Sequence, residues 1–190
     1  MNFAPGCPYH IYNQGNNREV IFRSNEDFLM FLTLVRKLIK PQCEILAWCL
    51  MNHHFHFLIY TTDNGCGKIK QGGIEIDRLT NGIRKLLSGY ARIYNKKYLR
   101  TGSLFRQKTK AKNLLQELPA SNSSSSRSDY LYNCFTNIHD NPLKAGLVKH
   151  PSEWAFSSFR DYAAIRKGSL CNKNLAAKLC GFSAKHFISL

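Results

Sequence analysis

Two stretches rich in aromatic and branched residues, 44–51 and 55–61, follow one another with almost nothing between them. Such runs read as strands, and Met51-Asn52-His53 is placed to turn the chain between them. The pair predicts a β-hairpin, and its neighbours decide what can be built around it. Upstream, Phe28, Phe31, Leu32, Val35, Leu38 and Ile39 recur at helical spacing. Ser24 and Asp27 are spaced like a capping box at the start of that helix, and Pro41 stops it. Before it, His10–Tyr12 opens an extended segment that ends in the turn cluster Gln14-Gly15-Asn16-Asn17. Downstream, 63–73 is glycine-rich and polar and is expected as a loop. Residues 76–98 then show helical periodicity, weakened by Gly82 and Gly89. Strand, helix, strand, strand, helix predicts an α+β, ferredoxin-like antiparallel sheet with helices packed on one face.

The rest of the chain is less regular. Residues 100–112 are basic around Leu104-Phe105, and 119–127, PASNSSSSR, reads as a flexible serine-rich linker. A helix is expected from Ser128 or Asp129 to just before Pro142. Trp154, Phe156, Phe159 and Tyr162 form a packing cluster. The expected organisation is one domain over 1–165, interrupted by the linker at 119–127, and a C-terminal tail over 166–190.

Composition narrows the class of function. Lys and Arg number 27 against 12 Asp and Glu, a net charge of +15 in 190 residues. A surplus of that size calls for a polyanionic partner, nucleic acid first, with an anionic membrane surface or an inert solvated face as the other readings. No apolar run approaches the ~20 residues of a membrane span, and residues 1–8 lack the pattern of a signal peptide. Seven cysteines, scattered and without a C-x-x-C pair, exclude a disulfide framework or zinc ribbon and predict free thiols in a reducing cytoplasm.

Three segments could carry chemistry. In His53-His54-Phe55-His56-Phe57-Leu58-Ile59, strand alternation places His54 and His56 on one face, about 7 Å apart at Cα, with Phe55, Phe57 and Ile59 on the core face. Two neutral imidazoles on a rigid strand are half of a divalent-metal site; the same pattern also describes two unliganded histidines. In Asn137-Ile138-His139-Asp140-Asn141-Pro142-Leu143-Lys144-Ala145-Gly146, Asn137 and Asn141 share a helix face. That stretch also reads as plain helix-stop chemistry. In Arg100–Lys112, Lys108, Lys110 and Lys112 alternate, which in a strand makes a one-sided rail for phosphates or a solvated charged face.

Taken together and in order, these segments resemble one family. HHFHFLI resembles the histidine–hydrophobic–histidine (HUH) motif of the small single-tyrosine transposases. NIHDNPLKAGLV, with Trp154 and Ser157-Ser158 after it, resembles the tyrosine-helix region of their REP-associated branch, and HIYNQGNNREVIF and RTGSLFRQKTKAK are similar to that branch too. The resemblance runs from about His10 to Tyr162. It implies a ferredoxin-like fold, a homodimer, and metal-dependent nicking and strand transfer of single-stranded DNA beside a hairpin. It also implies Mg²⁺ or Mn²⁺ held by His54, His56 and Asn141, and DNA contacts from Arg100, Arg106, Lys108, Lys110 and Lys112. The family's nucleophilic tyrosine falls at position 137, where this chain has asparagine, and an amide supplies no phenolate. Tyr130 and Tyr132 lie on the same helix as weaker substitutes. Tyr130 is on the matching face about 10 Å up the axis, and Tyr132 is on another face. Asn52-His53 also replaces the family's usual Pro-Asn. The rival expectations are a catalytically inactive binder of DNA hairpins and an RNA-binding ferredoxin-like module with stacking aromatics on its sheet.

Overall fold

Four strands pair into one antiparallel sheet in the computed structural model, which describes residues 1–116, 127–182 and 187. Their order is β2-β3-β1-β6, with β1 at Pro8–Gln14, β2 at Cys43–Met51, β3 at His54–Thr61 and β6 at Lys110–Asn113. Helix α1 (Asn25–Leu38) carries the chain from β1 past β3 to β2, the split β-α-β arrangement of a ferredoxin-like fold. The expected hairpin is present: Met51 pairs with His54, and Asn52-His53 makes the turn. The segment expected as a loop is ordered instead. A short helix α2 (Asp63–Cys66) leads into a separate two-stranded hairpin, β4 (Lys68–Gln71) and β5 (Ile74–Asp77). Its turn is Gly72-Gly73, whose φ angles of +58° and +79° suit glycine at both central positions.

Helix α3 (Arg78–Lys97) starts two residues later than the periodicity suggests, because Ile76 and Asp77 pair with Ile69 and Lys68 in the β4–β5 ladder. The buried Asp77 carboxylate accepts from Lys68 Nζ at 2.6 Å and Thr80 Oγ1 at 3.1 Å. Gly82 permits the crossing with α1: a Cβ there would sit 2.6 Å from the Leu38 carbonyl oxygen. At the N-terminus of α1 the buried Asp27 carboxylate accepts from the Ser24 and Arg23 backbone N–H groups, at 3.1 and 2.8 Å. Lys97 and Tyr98, at the end of α3, bond the same carboxylate and tie the two helices together. Helices α1 and α3 cover the sheet face that carries Ile11, Trp48, Leu50, Phe55, Phe57 and Ile59.

The expected single helical face is corrected by a second layer. Helix α4 (Arg127–Lys144) follows, then α5 (Phe159–Tyr162) and α6 (Lys173–Cys180). Leu131, Phe135 and Ile138 line one side of α4 at helical spacing and pack on Leu46, Ala47, Cys49 and Leu58. Leu46 and Ala47 both face this layer because a bulge between Ile45 and Ala47 shifts the β2–β3 register. Helix α6, inside the expected tail, buries Ala176 and Cys180 in the same cluster. The strand edge of β2 is closed by the segment after α4: Leu50 N bonds Phe156 O, and Ser158 N bonds Trp48 O, both at 2.9 Å. The reason for the second layer lies in the sheet. On this side β2 and the Leu58 end of β3 are apolar, while β1, β6 and the start of β3 carry His10, Tyr12, Lys110, Lys112, His54 and His56. An apolar stripe on α4 covers the first region and leaves the second open.

Helix α4 does not stop before Pro142 as expected but runs to Lys144, and Gly146 turns the chain with φ +68°. Proline lacks the N–H that would reach Ile138 O. The Asn141 side chain supplies a donor there: Nδ2 lies 3.3 Å from Ile138 O and 3.0 Å from Asn137 O. Of the expected linker, residues 119–126 lie outside the described residues, and Arg127 begins α4. No helix among the described residues is long and apolar enough to cross a membrane.

Candidate nucleic-acid site

The pleat of β3 sends Phe55, Phe57 and Ile59 into the core with α1 and α3. His54 and His56 project on the opposite side, their ring centroids 5.0 Å apart. Strand pairing then adds neighbours that the sequence reading did not assign. Tyr12 lies opposite His56, Gln14 opposite His54, and on the far side of β1 Lys110 and Lys112 lie opposite Tyr12 and His10. His10 Nε2 is 2.9 Å from His56 Nδ1, with the rings stacked at 5.1 Å. The Tyr12 ring stacks on His56 at 5.7 Å. His10 and Tyr12 alternate along β1 as His54 and His56 do along β3, a pattern visible in the sequence. What places them against the histidines is a strand pairing between residues about 46 positions apart.

Two hollows meet at His56. One, of about 410 Å³, lies between this face and α4 and is lined by His10, His56, Lys112, Tyr130, Asn137 and Asn141. The other, of about 310 Å³, is lined by Tyr12, His54, His56, Arg106, Lys108 and Lys110. The structure therefore gathers His54, His56, Asn137, Asn141 and four of the five candidate cations around one cleft. Arg100 is the exception. It folds back to pair with Glu19 at 2.7 Å and bonds Asn95 Oδ1 at 2.6 Å, so its charge is spent inside the protein. Tyr130 faces the cleft, two turns before Asn137; Tyr132 packs toward Phe182, with ring centroids 6.4 Å apart. The Asn137 amide oxygen accepts from Lys144 Nζ.

Burial sets the charge state. It pushes the His56 imidazole down to about 3, helped by the neighbouring His10 and His54. His54 is lowered by burial first and by His53 second. Both rings are neutral at neutral pH, the form that ligates metals. Asn141 spends its amide N–H on the helix backbone and keeps its oxygen for other partners. Among the described residues no three His, Cys, Asp or Glu side chains are grouped to hold a metal ion. A divalent ion here would rest on two imidazoles and an amide oxygen, with water and phosphate oxygens completing its shell. Imidazole donors suit Mn²⁺ better than Mg²⁺, which prefers oxygen ligands. His139, inside the same sequence motif, is not part of the cleft. It is buried among Phe135, Phe159 and Tyr162, and its Nε2 lies 2.7 Å from Ser158 Oγ.

Fold and cleft define an α+β protein of split β-α-β topology, with paired imidazoles on a central strand and a lysine rail along the β6 edge. No family model matches the chain, and no curated protein matches its sequence. Its structure is similar to that of a REP-associated tyrosine transposase bound to a REP hairpin, with a TM-score of 0.57. The match covers 86% of this chain and 83% of that one, at 19% sequence identity, so the likeness is one of fold.

Proposed function

We propose that this chain is a transposase-like protein that binds single-stranded or hairpin DNA, with a divalent metal held at His54, His56 and Asn141. One observation carries the reading: His54 and His56 open into hollows walled by Arg106, Lys108, Lys110 and Lys112. Imidazoles beside a cation rail suit a phosphate backbone, with the cations positioning the strand and the imidazoles addressing one phosphate. A metal there would polarise that phosphate. The protein's own groups do the rest: the lysines hold the strand, and α4 walls off one side of the cleft.

The fold likeness to a transposase bound to a hairpin supports the same partner. Strand cleavage needs an oxygen nucleophile in line with the scissile phosphate. Asn137 offers none and is engaged by Lys144, so the reading is binding without a covalent step. Tyr130 favours a second reading, a protein that still cuts, because its side chain lines the same hollow as His56 and Asn141. The RNA-module reading is weakened by α4 and α6, which cover the β2–β3 half of the face that a stacking platform would need. Incubation with radiolabelled hairpin oligonucleotides and Mn²⁺, followed by denaturing electrophoresis, separates the readings. Retention in a native gel with no denaturation-resistant adduct is expected; no retention at all would refute the proposal.

A further inference from the structure

Helix α3 ends in a turn that glycine would suit better than the residue found there. Leu99 follows the helix with φ +48°, and the Arg100 N–H reaches back to Asn95 O at 3.0 Å. That backbone geometry is the left-handed helix end at which glycine is the usual residue. Helix α4 ends the same way, with Leu147 N bonded to Pro142 O, and its left-handed position is Gly146. Leucine in this conformation brings its Cβ against the following carbonyl oxygen. Packing does not offset the strain, because Leu99 is 96% exposed. Side chains fix the turn around it. Asn95 Nδ2 donates to Gly102 O at 2.9 Å, Arg100 bonds Asn95 and Glu19, and Tyr98 Oη donates to Asp27 at 2.7 Å. The fold thus holds one apolar side chain out in water, under strain, in a fixed place.

We propose that Leu99 is an apolar wedge that packs on the face of a base in bound DNA. The inference rests on the nucleic-acid reading above and adds a contact outside the histidine cleft. Aliphatic side chains inserted at base steps unstack them and stay covered by the bases. A protein interface would instead surround such an anchor with further apolar side chains. In 96–103 the other apolar side chain is Tyr98, and its ring lies 4.7 Å from the Arg23 guanidinium. Lys96, Thr101 and Ser103 are exposed and polar. A lone aliphatic tip among cations suits a base flanked by phosphates. The turn also adjoins the cleft. Arg100 pairs with Glu19, and the residue before Glu19, Arg18, lines a hollow of about 350 Å³ with Gln14, His53 and His54. Leu104 O accepts from Asn16 N at 2.9 Å, just past the end of β1. A strand held at His54 has this turn beside it.

The test uses the full chain and a fluorescein-labelled DNA hairpin followed by anisotropy, with urea unfolding of each variant in parallel. Leu99→Gly should be as stable as wild type or more so, and should bind the hairpin about tenfold more weakly, the scale of one leucine returned to water. Leu99→Asn, whose side chain tolerates the left-handed turn, should lose as much. Leu99→Met should bind within about threefold of wild type, since it keeps most of the apolar surface. No charge is removed, so the slope of log K against log salt should be the same in all three variants. In hairpins carrying 2-aminopurine at single positions, the wild-type protein should raise the fluorescence of one position by unstacking it, and Leu99→Gly should not. Wild-type binding by Leu99→Gly and Leu99→Asn overturns the wedge and leaves the histidine cleft standing. A fall in stability shared by those two variants overturns it as well, by giving the leucine a folding role. Loss of self-association in sedimentation, with DNA binding unchanged, assigns Leu99 to a second copy of the chain instead. Wild-type protein that binds no hairpin overturns the wedge and the nucleic-acid reading together.

Discussion

His10 Nε2 and His56 Nδ1 sit 2.9 Å apart across the β1–β3 ladder, one imidazole hydrogen-bonded to the other. The bond occupies Nδ1 of His56 and leaves Nε2 as the nitrogen open to a ligand. A ligating histidine whose other nitrogen is engaged is held in one tautomer and one ring orientation. In the metal-free protein, ¹⁵N chemical shifts of His56 should therefore report a single tautomer, and His10→Phe should mix the two. The same substitution should weaken Mn²⁺ binding in calorimetry by about 10- to 100-fold. His10→Gln, which keeps a hydrogen-bonding group, should recover part of both. Unaltered shifts in His10→Phe would show that the contact does not orient His56.

The occupant of position 137 predicts the chemical outcome. The wild-type protein should form no covalent adduct with hairpin DNA, and Asn137→Tyr should restore some cleavage by placing a phenol in the hollow shared with His56 and Asn141. Tyr130→Phe should leave both results unchanged. An adduct with the unaltered protein that disappears in Tyr130→Phe would make Tyr130 the nucleophile and reverse this prediction.

Binding should weaken steeply with salt, because lysines that touch phosphate release counterions. Lys108, Lys110 and Lys112 border the two hollows at His56. Their joint replacement by Ala should reduce the slope of log K against log salt by about 2 to 3 units. Arg100→Ala should leave the slope unchanged and lower thermal stability, since Arg100 is paired with Glu19. A slope change from Arg100→Ala alone would place the DNA elsewhere on the surface.

Buried neutral histidines make the fold acid-sensitive. Burial pushes His139 down to about 3, and His56 down to about 3 as well. Between that value and the ordinary 6.5, the unfolded chain binds protons that the folded chain excludes. Stability is then full above pH 6.5 and falls as pH drops through this window, by about 1.4 kcal/mol per pH unit for each such proton. Urea denaturation at pH 7 and pH 5 should show the loss, and His139→Phe should make it shallower by about one proton. An identical pH dependence in wild type and His139→Phe would refute the assignment.

Much of the fold was legible along the chain. The hairpin 44–61 is a local object, because its turn and its aromatic strands are contiguous. The stripe from Phe28 to Val35 and the amphipathic α3 are local for the same reason. The β4–β5 hairpin is not legible along the chain, because Gly72 and Gly73 mark a turn and a loop equally well, and its strands have four residues each. The extension of α4 through Pro142 is not legible either, because it depends on the Asn141 side chain donating to Ile138 O, the acceptor that proline leaves without its backbone N–H.

Strand alternation by itself put His54 and His56 on one face, and composition by itself pointed to a polyanionic partner. Both depend only on local geometry and charge count. Only the tertiary structure decided which residues join them. Pairing of β1 with β3 brought His10 and Tyr12 to His56, and pairing with β6 brought Lys110 and Lys112 alongside. The apolar stripe of α4 found the apolar half of the sheet, leaving Tyr130 and Asn141 over the polar half. Arg100 left the rail for Glu19. Register and helix docking are set by long-range burial and pairing, whose partners lie dozens of residues apart, so no window along the chain contains them.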